Sequence, residues 1–314
     1  MDYRELGQTG LVVSRLCFGA LTIGPLQRNL SPQEGAAIIR RALAGGVNFI
    51  DTAQLYRTYS HIREALKGLE RPEDVIIATK SYDFTREGMA ASLEEARREL
   101  DLDVIPIFML HEQESEHTLR GHRPALDYLL ESKAKGIVKA VGISTHHIQG
   151  VLAAAEMPEI DVISPLINAT GIGIQDGTRE EMLSAIEYAA AQGKGIYAMK
   201  PLGGGHLLSS WSEALEFCLK QDSLASIAVG MKSFEEVDNN IRFFNGQRNL
   251  PNPDNTYRKL HIDDWCIGCA MCIGECPNGA LDIVHNKAVV VDPDNCVFCG
   301  YCGSACPEFA IKVI

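Results

Sequence analysis

The sequence predicts an α/β chain, a (β/α)8 barrel followed by a small cysteine-rich α+β domain. Two observations predict the barrel. From residue 12 to about residue 245, short β-rich runs alternate with amphipathic helical patterns, and eight such pairs fit that length. Most of the runs are continuously apolar, as strands covered on both faces must be. A third observation predicts the second domain: the last fifth of the chain carries one cysteine pattern twice, at an offset of 30 residues. A doubly wound open sheet is the rival for the first part, but no G-x-G-x-x-G follows the first strand.

Residues 3–13 place Gly7 and Thr9-Gly10 between short apolar patches, which reads as a hairpin able to plug the barrel floor. The strand runs are 16–18, 49–51, 75–79, 104–110, 140–143, 162–167, 195–199 and 226–229. Between them lie helical stretches at 32–44, 85–100, 124–135, 179–191, 211–220 and 234–244. Ser31-Pro32-Gln33-Glu34 and Thr178-Arg179-Glu180-Glu181 read as capped helix starts, a hydroxyl and a glutamate satisfying first-turn amides. Residues 245–257 hold four Asn, two Pro and a Gly, the composition of a linker. The boundary falls there, with the barrel at 1–248 and the linker and second domain at 249–314.

The 314 residues suffice for one large domain and an appendix. With 46% apolar and 22% charged residues the chain reads as soluble and globular. No apolar run reaches membrane-spanning length, and Met1-Asp2-Tyr3-Arg4-Glu5 does not open a secretory signal, so no membrane partner is expected and the expected location is cytoplasmic. A formal charge of −12 argues against a nucleic-acid partner, because phosphate neutralisation needs Lys and Arg. It would suit a basic redox partner protein, although acidity usually means only solubility.

Cys266, Cys269, Cys272 and Cys276 before Pro277, and Cys296, Cys299, Cys302 and Cys306 before Pro307, each follow C-x2-C-x2-C-x3-C-P. This run resembles the bacterial ferredoxin signature. In such proteins three thiolates of one loop hold a cluster, and the fourth cysteine ligates the other cluster. The resemblance implies one [4Fe–4S] cluster on Cys266, Cys269, Cys272 and Cys306 and a second on Cys296, Cys299, Cys302 and Cys276, in a ferredoxin-like α+β domain. Disulfides are the competing reading, but they suit an exported chain. Zinc knuckles use paired C-x2-C and need neither the third cysteine nor the proline.

Catalytic residues of such barrels sit at the C-terminal strand ends. Those ends give Asp51, Lys80 and His111, with Tyr56 on the loop after Asp51. A phenol of pKa ~10 is a poor acid at neutral pH. An ammonium beside it favours the phenolate, and a carboxylate keeps that ammonium charged and oriented. A histidine can orient a carbonyl oxygen or relay its proton. Tyr56 is thus expected to donate the proton, Lys80 to lower its pKa, Asp51 to anchor Lys80, and His111 to orient the carbonyl. Taken singly, an Asp-Thr pair is often a helix cap and a strand-end His a packed polar residue.

Asp51-Thr52-Ala53-Gln54-Leu55-Tyr56, Ala78-Thr79-Lys80 and His111 resemble the tetrad of the aldo-keto reductases. Val141-Gly142-Ile143-Ser144-Thr145 is similar to that family's nicotinamide-contacting strand. Lys200-Pro201-Leu202-Gly203-Gly204-Gly205 resembles its pyrophosphate loop, and Val229-Gly230-Met231-Lys232-Ser233 with Asn240 its adenosine-phosphate segment. With the cysteine runs, the chain resembles the iron–sulfur branch of the family. The resemblance implies a TIM barrel, reduction of a small carbonyl by NADH or NADPH, and cofactor contacts at Gly19, Ala20, Ser144, Thr145, Asn168, Met199, Lys200, Pro201, Leu202, Gly203, Gly204, Gly230, Lys232, Ser233, Glu236 and Asn240. There are departures. Ser164 stands where the family has a carboxamide-binding Gln, and Met199 where an aromatic stacks on nicotinamide. Glu236 replaces an Arg that grips a 2′-phosphate, which favours NADH unless Lys232 compensates. Arg57-Thr58-Tyr59 follows Tyr56 where a Gly is usual, making Tyr59 a rival proton donor.

His117, His122, His146 and His147 lie in polar segments and read as solvated. Cys17 and Cys218 read as core thiols. The Gly203-Gly204-Gly205 run alone is a weak signal; its place after the seventh strand, where barrels bind phosphate, strengthens it. Hydride carries two electrons and a cluster one, so the two modules are joined most simply in three ways: a carbonyl reductase with relaying or bracing clusters, a ferredoxin-coupled enzyme using a flavin or direct electron delivery to substrate, or an electron-transfer subunit that is no enzyme.

Overall fold

The structure, a computed structural model, describes residues 1–250, 259–276, 278–296, 298 and 301–313. A hairpin of β1 (Tyr3–Glu5) and β2 (Val12–Ser14) comes first. Eight parallel strands follow: β3 (Leu16–Gly19), β4 (Phe49–Asp51), β5 (Ile76–Ser81), β6 (Ile105–Leu110), β7 (Val138–Thr145), β8 (Val162–Pro165), β9 (Gly195–Ala198) and β10 (Ser226–Gly230). Each pairs with the next, and β10 returns to β3 to close the barrel. Outside it run α1 (Pro32–Ala44), α2 (Tyr59–Leu66), α3 (Arg86–Leu100), α4 (Glu116–Gly121), α5 (Arg123–Ala134), α6 (Ile148–Glu156), α7 (Arg179–Ala191), α8 (Trp211–Leu219) and α9 (Phe234–Phe244).

The period of two along each strand divides the core. Leu16, Phe18, Ile50, Ile77 and Phe108 point outward against the helices. Cys17, Phe49, Ala78, Ile107, Met109 and Tyr197 point inward, where Leu6 and Val13 of the hairpin join them as the plug. Ser31 and Thr178 form the expected capping boxes with Glu34 and Glu181. The structure extends two strands past their apolar runs, β5 to Ser81 and β7 to Thr145. Their last residues are polar because they face the barrel mouth, so hydrophobicity alone misses them. The short helices α2, α4 and α6 likewise lie outside the stretches marked by periodicity.

In the tail, β11 (Leu260–Ile262) pairs antiparallel with β14 (Ile311–Val313), and β12 (Leu281–Val284) with β13 (Lys287–Val290). Two single-turn helices, α10 (Met271–Gly274) and α11 (Tyr301–Ser304), carry Cys272 and Cys302 into a small core with Leu281, Ala288 and Ile311. Most of the expected linker, including Asn252 and Asn255, lies outside the described residues. The tail packs on the barrel mouth. A Cβ on Gly204 would lie 2.8 Å from the Phe309 ring, one on Gly173 equally close, and one on Gly205 1.8 Å from the Val313 carbonyl oxygen. Gly204 and Gly205 also have φ of 65° and 102°, so a side chain at either position would be strained as well as crowded. Gln175 adds a hydrogen bond from Nε2 to the Pro307 carbonyl, 2.8 Å.

Candidate active site

Strand alternation places the tetrad. Phe49 faces inward, so Asp51 does; Ala78 implies Lys80, and Met109 implies His111. Lys80 Nζ donates to Asp51 Oδ1 at 2.6 Å and to the Thr52 carbonyl at 2.8 Å. The Tyr197 hydroxyl donates to the same Oδ1 at 2.6 Å, from one layer deeper in the barrel. Lys80 Nζ lies 5.2 Å from the centroid of the Tyr56 ring. His111 is edge-on to that ring, 5.9 Å between centroids, and stacks on Tyr82 at 4.2 Å. The four expected residues therefore share one neighbourhood at the mouth.

Two expectations need correction. Burial, with the carboxylates of Asp51 and Glu112, pushes the Tyr56 phenol well above its ordinary pKa instead of below it. The Lys80 charge is met by Asp51 at 2.6 Å, which leaves the phenol no net cation beside it. Tyr59 is no rival donor: it lies on α2, is 2% exposed, and its hydroxyl is bonded to Thr79 Oγ1 at 2.7 Å. His111 is held well below its usual pKa by burial and by the charges of Lys80 and Lys200, so its imidazole is neutral at physiological pH. Among the described residues its buried Nδ1 has no partner.

A cavity of about 180 Å³ opens beside the tetrad. Of the expected cofactor contacts, Gly19, Met199, Lys200, Pro201, Leu202, Gly204, Gly230, Lys232, Glu236 and Asn240 line it, together with Asp51 and Tyr56. Ala20, Ser144, Thr145, Asn168, Gly203 and Ser233 do not line it. The Ser144 hydroxyl accepts the Glu112 amide, Thr145 Oγ1 the His147 amide, and Ser233 Oγ caps α9. The Asn168 carboxamide braces its own loop, with bonds to Ile172 and Thr170. Glu236 Oε2 accepts the Lys232 amide at 2.8 Å, and burial raises its pKa.

His146 is not solvated, contrary to the sequence reading. Its side chain is 11% exposed, and Nε2 accepts from Lys200 Nζ at 2.9 Å. Burial, then the Lys200 charge, keeps it neutral. Cys17 and Cys218 are fully buried, and burial raises both thiols, Cys218 to about 12.

In the tail, Cys266, Cys269, Cys272 and Cys306 ring a second, small cavity. Among the described residues no group of three or more His, Cys, Asp or Glu closes on a single-ion site. The four thiols stand around a space instead of converging on a point, which fits a cluster. Backbone amides point at three sulfurs: Ala280 at Cys276, Ala288 at Cys266 and Ala310 at Cys306, at 3.3–3.4 Å. Such N–H···S bonds stabilise charge on ligating thiolates. Cys296 and Cys302 are described; Cys299 and Pro277 lie outside the described residues.

The sequence matches the Aldo/keto reductase family over residues 15–213. The chain belongs to that family. Residues 265–310 of this aldo/keto reductase match a 4Fe-4S dicluster domain. It is 27% identical to L-galactose dehydrogenase of Arabidopsis thaliana over 77% of this chain and 87% of the relative. With D-threo-aldose 1-dehydrogenase of a Pseudomonas species it shares 26% identity over 64% of this chain and 69% of the relative. Among solved structures, the holo form of an aldo-keto reductase from Bacillus halodurans shares the fold, with a TM-score of 0.65 at 23% identity over 80% of this chain and 93% of that one. The protein is therefore an oxidoreductase of this family carrying a ferredoxin-like 4Fe-4S region. Among the described residues no helix is long and apolar enough to cross a membrane.

Sequence reasoning missed several residues of this oxidoreductase. Tyr197 could have been found by counting two residues back from Met199 along an inward-facing strand. Tyr82 and His146 lie just past strand ends, where polar runs look like solvent loops. Phe309 and Lys312 line the barrel cavity from the C-terminal tail, and only the tertiary structure brings them there.

Proposed function

We propose that the chain reduces a small aldehyde or ketone with NADH or NADPH at the barrel mouth, and that two [4Fe–4S] clusters in the tail exchange electrons with that site or with a partner protein. The observation that carries this reading is the buried Asp51–Lys80 pair beside Tyr56 and a neutral His111. The nicotinamide, when bound, supplies hydride to the carbonyl carbon. Tyr56 and His111 hydrogen-bond the carbonyl oxygen and fix its orientation. Tyr56 then gives its proton to that oxygen, and water returns a proton to the phenolate. Lys80 has one N–H beyond those engaged by Asp51 and Thr52, and it steadies the phenolate while it exists. Asp51, itself held by Tyr197, keeps the ammonium in place. The cavity lined by Gly19, Met199, Gly230, Glu236 and Asn240 receives the dinucleotide.

Anaerobically purified protein should contain roughly eight iron and eight sulfide per chain. Adding NADH or NADPH with a carbonyl substrate should oxidise the nucleotide stoichiometrically with alcohol formed. Alcohol formation undetectable with a panel of aldehydes, together with a bound flavin spectrum, would favour the ferredoxin-coupled reading instead. Cofactor choice turns on Glu236. Its carboxylate lines the cavity and opposes a 2′-phosphate, so Glu236→Gln should tighten NADPH binding about tenfold and change NADH binding little. An equal effect on both nucleotides would remove Glu236 from the ribose site.

A further inference from the structure

The tail brings a cation into the barrel cavity. Lys312, on β14, is 5% exposed yet lines that cavity, as does Lys200 on the loop after β9. Both ammonium groups lie over the ring of Phe309, 4.2 and 5.9 Å from its centroid, so they share one neighbourhood. Lys312 is ion-paired with Asp263. Lys200 is not so matched: its partner is the His146 nitrogen, and among the described residues no carboxylate pairs with it. A half-buried ammonium without a counter-charge is costly, and desolvation together with the Lys312 charge brings the Lys200 pKa down to about 7.

The glycine run does not supply the anion site that its composition suggests. The amides of Gly203, Gly205, His206 and Leu207 all donate to carbonyls of the same loop, those of Lys200, Leu202 and Gly203. Gly204 and Gly205 are explained by the close approach of Phe309 and Val313. Of the amides of this run, only that of Gly204 has no backbone acceptor among the described residues, so an anion in this part of the cavity would be met mainly by side chains.

We infer that Lys312 of the cluster domain and Lys200 of the barrel together bind the diphosphate of the dinucleotide, so that the cofactor site is complete only when the two domains are docked. This rests on the proposed use of a nicotinamide dinucleotide. Electrostatics favour it: around Phe309 the two lysines are met by one ion-paired carboxylate, Asp263, so this corner of the cavity is short of negative charge, which a dianionic diphosphate provides. Docking also becomes coupled to binding, since the ligand bridges both domains.

The holoprotein, kept anaerobic, is treated with an amine-acylating reagent alone, with pyrophosphate, with ADP-ribose and with NADH, and labelled lysines are read by mass spectrometry. Lys312 and Lys200 should be protected by all three ligands, while exposed Lys139 and Lys67 stay reactive. In parallel, calorimetry should show ADP-ribose binding weakened about tenfold or more in Lys312→Met and largely restored in Lys312→Arg, with cluster absorbance retained. The groups that set the Lys200 charge are Lys312, Glu112, Asp263 and Lys80, with His146 as its neighbour. A bound diphosphate favours protonated Lys200, so wild-type ADP-ribose affinity should fall about tenfold from pH 6 to pH 8, and Lys200→Met should abolish that slope. If NADH binds while Lys312 stays reactive, or if Lys312→Met binds normally, the inference is wrong and the nicotinamide reading stands. If pyrophosphate protects both lysines but NADH and ADP-ribose do not bind, the anion site stands and the nicotinamide reading fails. Should Lys312→Met lose its clusters, the protection pattern in the wild-type protein decides.

Discussion

Tyr56→Phe is expected to lower kcat for carbonyl reduction by about 10²–10⁴-fold, the usual contribution of a positioned general acid. Thermal stability should barely move, because among the described residues the Tyr56 hydroxyl makes no hydrogen bond that its removal would break. Tyr59→Phe is the matched control. It removes a buried bond to Thr79, so it should cost about 1 kcal/mol of stability and leave kcat nearly unchanged. The pH profile adds a second check. Burial and the carboxylates of Asp51 and Glu112 raise the Tyr56 pKa, so the phenol stays protonated through the range where an ordinary tyrosine ionises. At saturating cofactor, reduction should therefore hold its rate beyond the ordinary phenol pKa of ~10. A decline centred near neutrality that Tyr56→Phe abolishes would show a phenol acidified in the working enzyme.

The difference between that profile and the one expected from the sequence is instructive. Residue types and spacing place Asp51, Lys80 and His111 on inward positions at strand ends, because the period of two is written in Phe49, Ala78 and Met109. They do not say how the charges compensate. The phenol answers to net charge and burial, and a second donor on Asp51, Tyr197, comes from a strand 146 residues away. The barrel itself is legible because every strand is covered on both faces and so reads as an apolar run. The cysteine ladder is legible because its ligand spacing is local. Neither feature reveals that Phe309 sits against Gly173 and Gly204, since that contact depends on where one folded unit lands on another. His146 is hidden for the same reason: a histidine in a polar segment looks solvated until Lys200 and Phe309 close over it.

Lys80→Met is expected to destabilise the barrel by about 3–5 kcal/mol, the loss seen when one partner of a buried ion pair is removed. The Lys80 side chain is 2% exposed and that of Asp51 10%, so solvent cannot take over the charge. What remains is a buried carboxylate with, among the described residues, only the Tyr197 hydroxyl as donor. The Asp51→Asn, Lys80→Met double variant removes the orphaned charge while keeping an acceptor for Tyr197, and it should recover at least half of the loss. Arg41→Met breaks a pair of similar length, 2.7 Å to Asp238, on the surface, and should leave the denaturation midpoint nearly unmoved. The three midpoints, measured anaerobically so that the clusters are intact, separate burial from distance as the origin of the effect. If the double variant were no more stable than Lys80→Met, the loss would come from the missing lysine stem and its packing, not from an uncompensated charge. The same charge argument links stability to catalysis: the carboxylate that makes Lys80 tolerable in the barrel is the one that fixes it beside Tyr56. Lys80→Met should then be inactive, and the double variant should regain stability without regaining turnover.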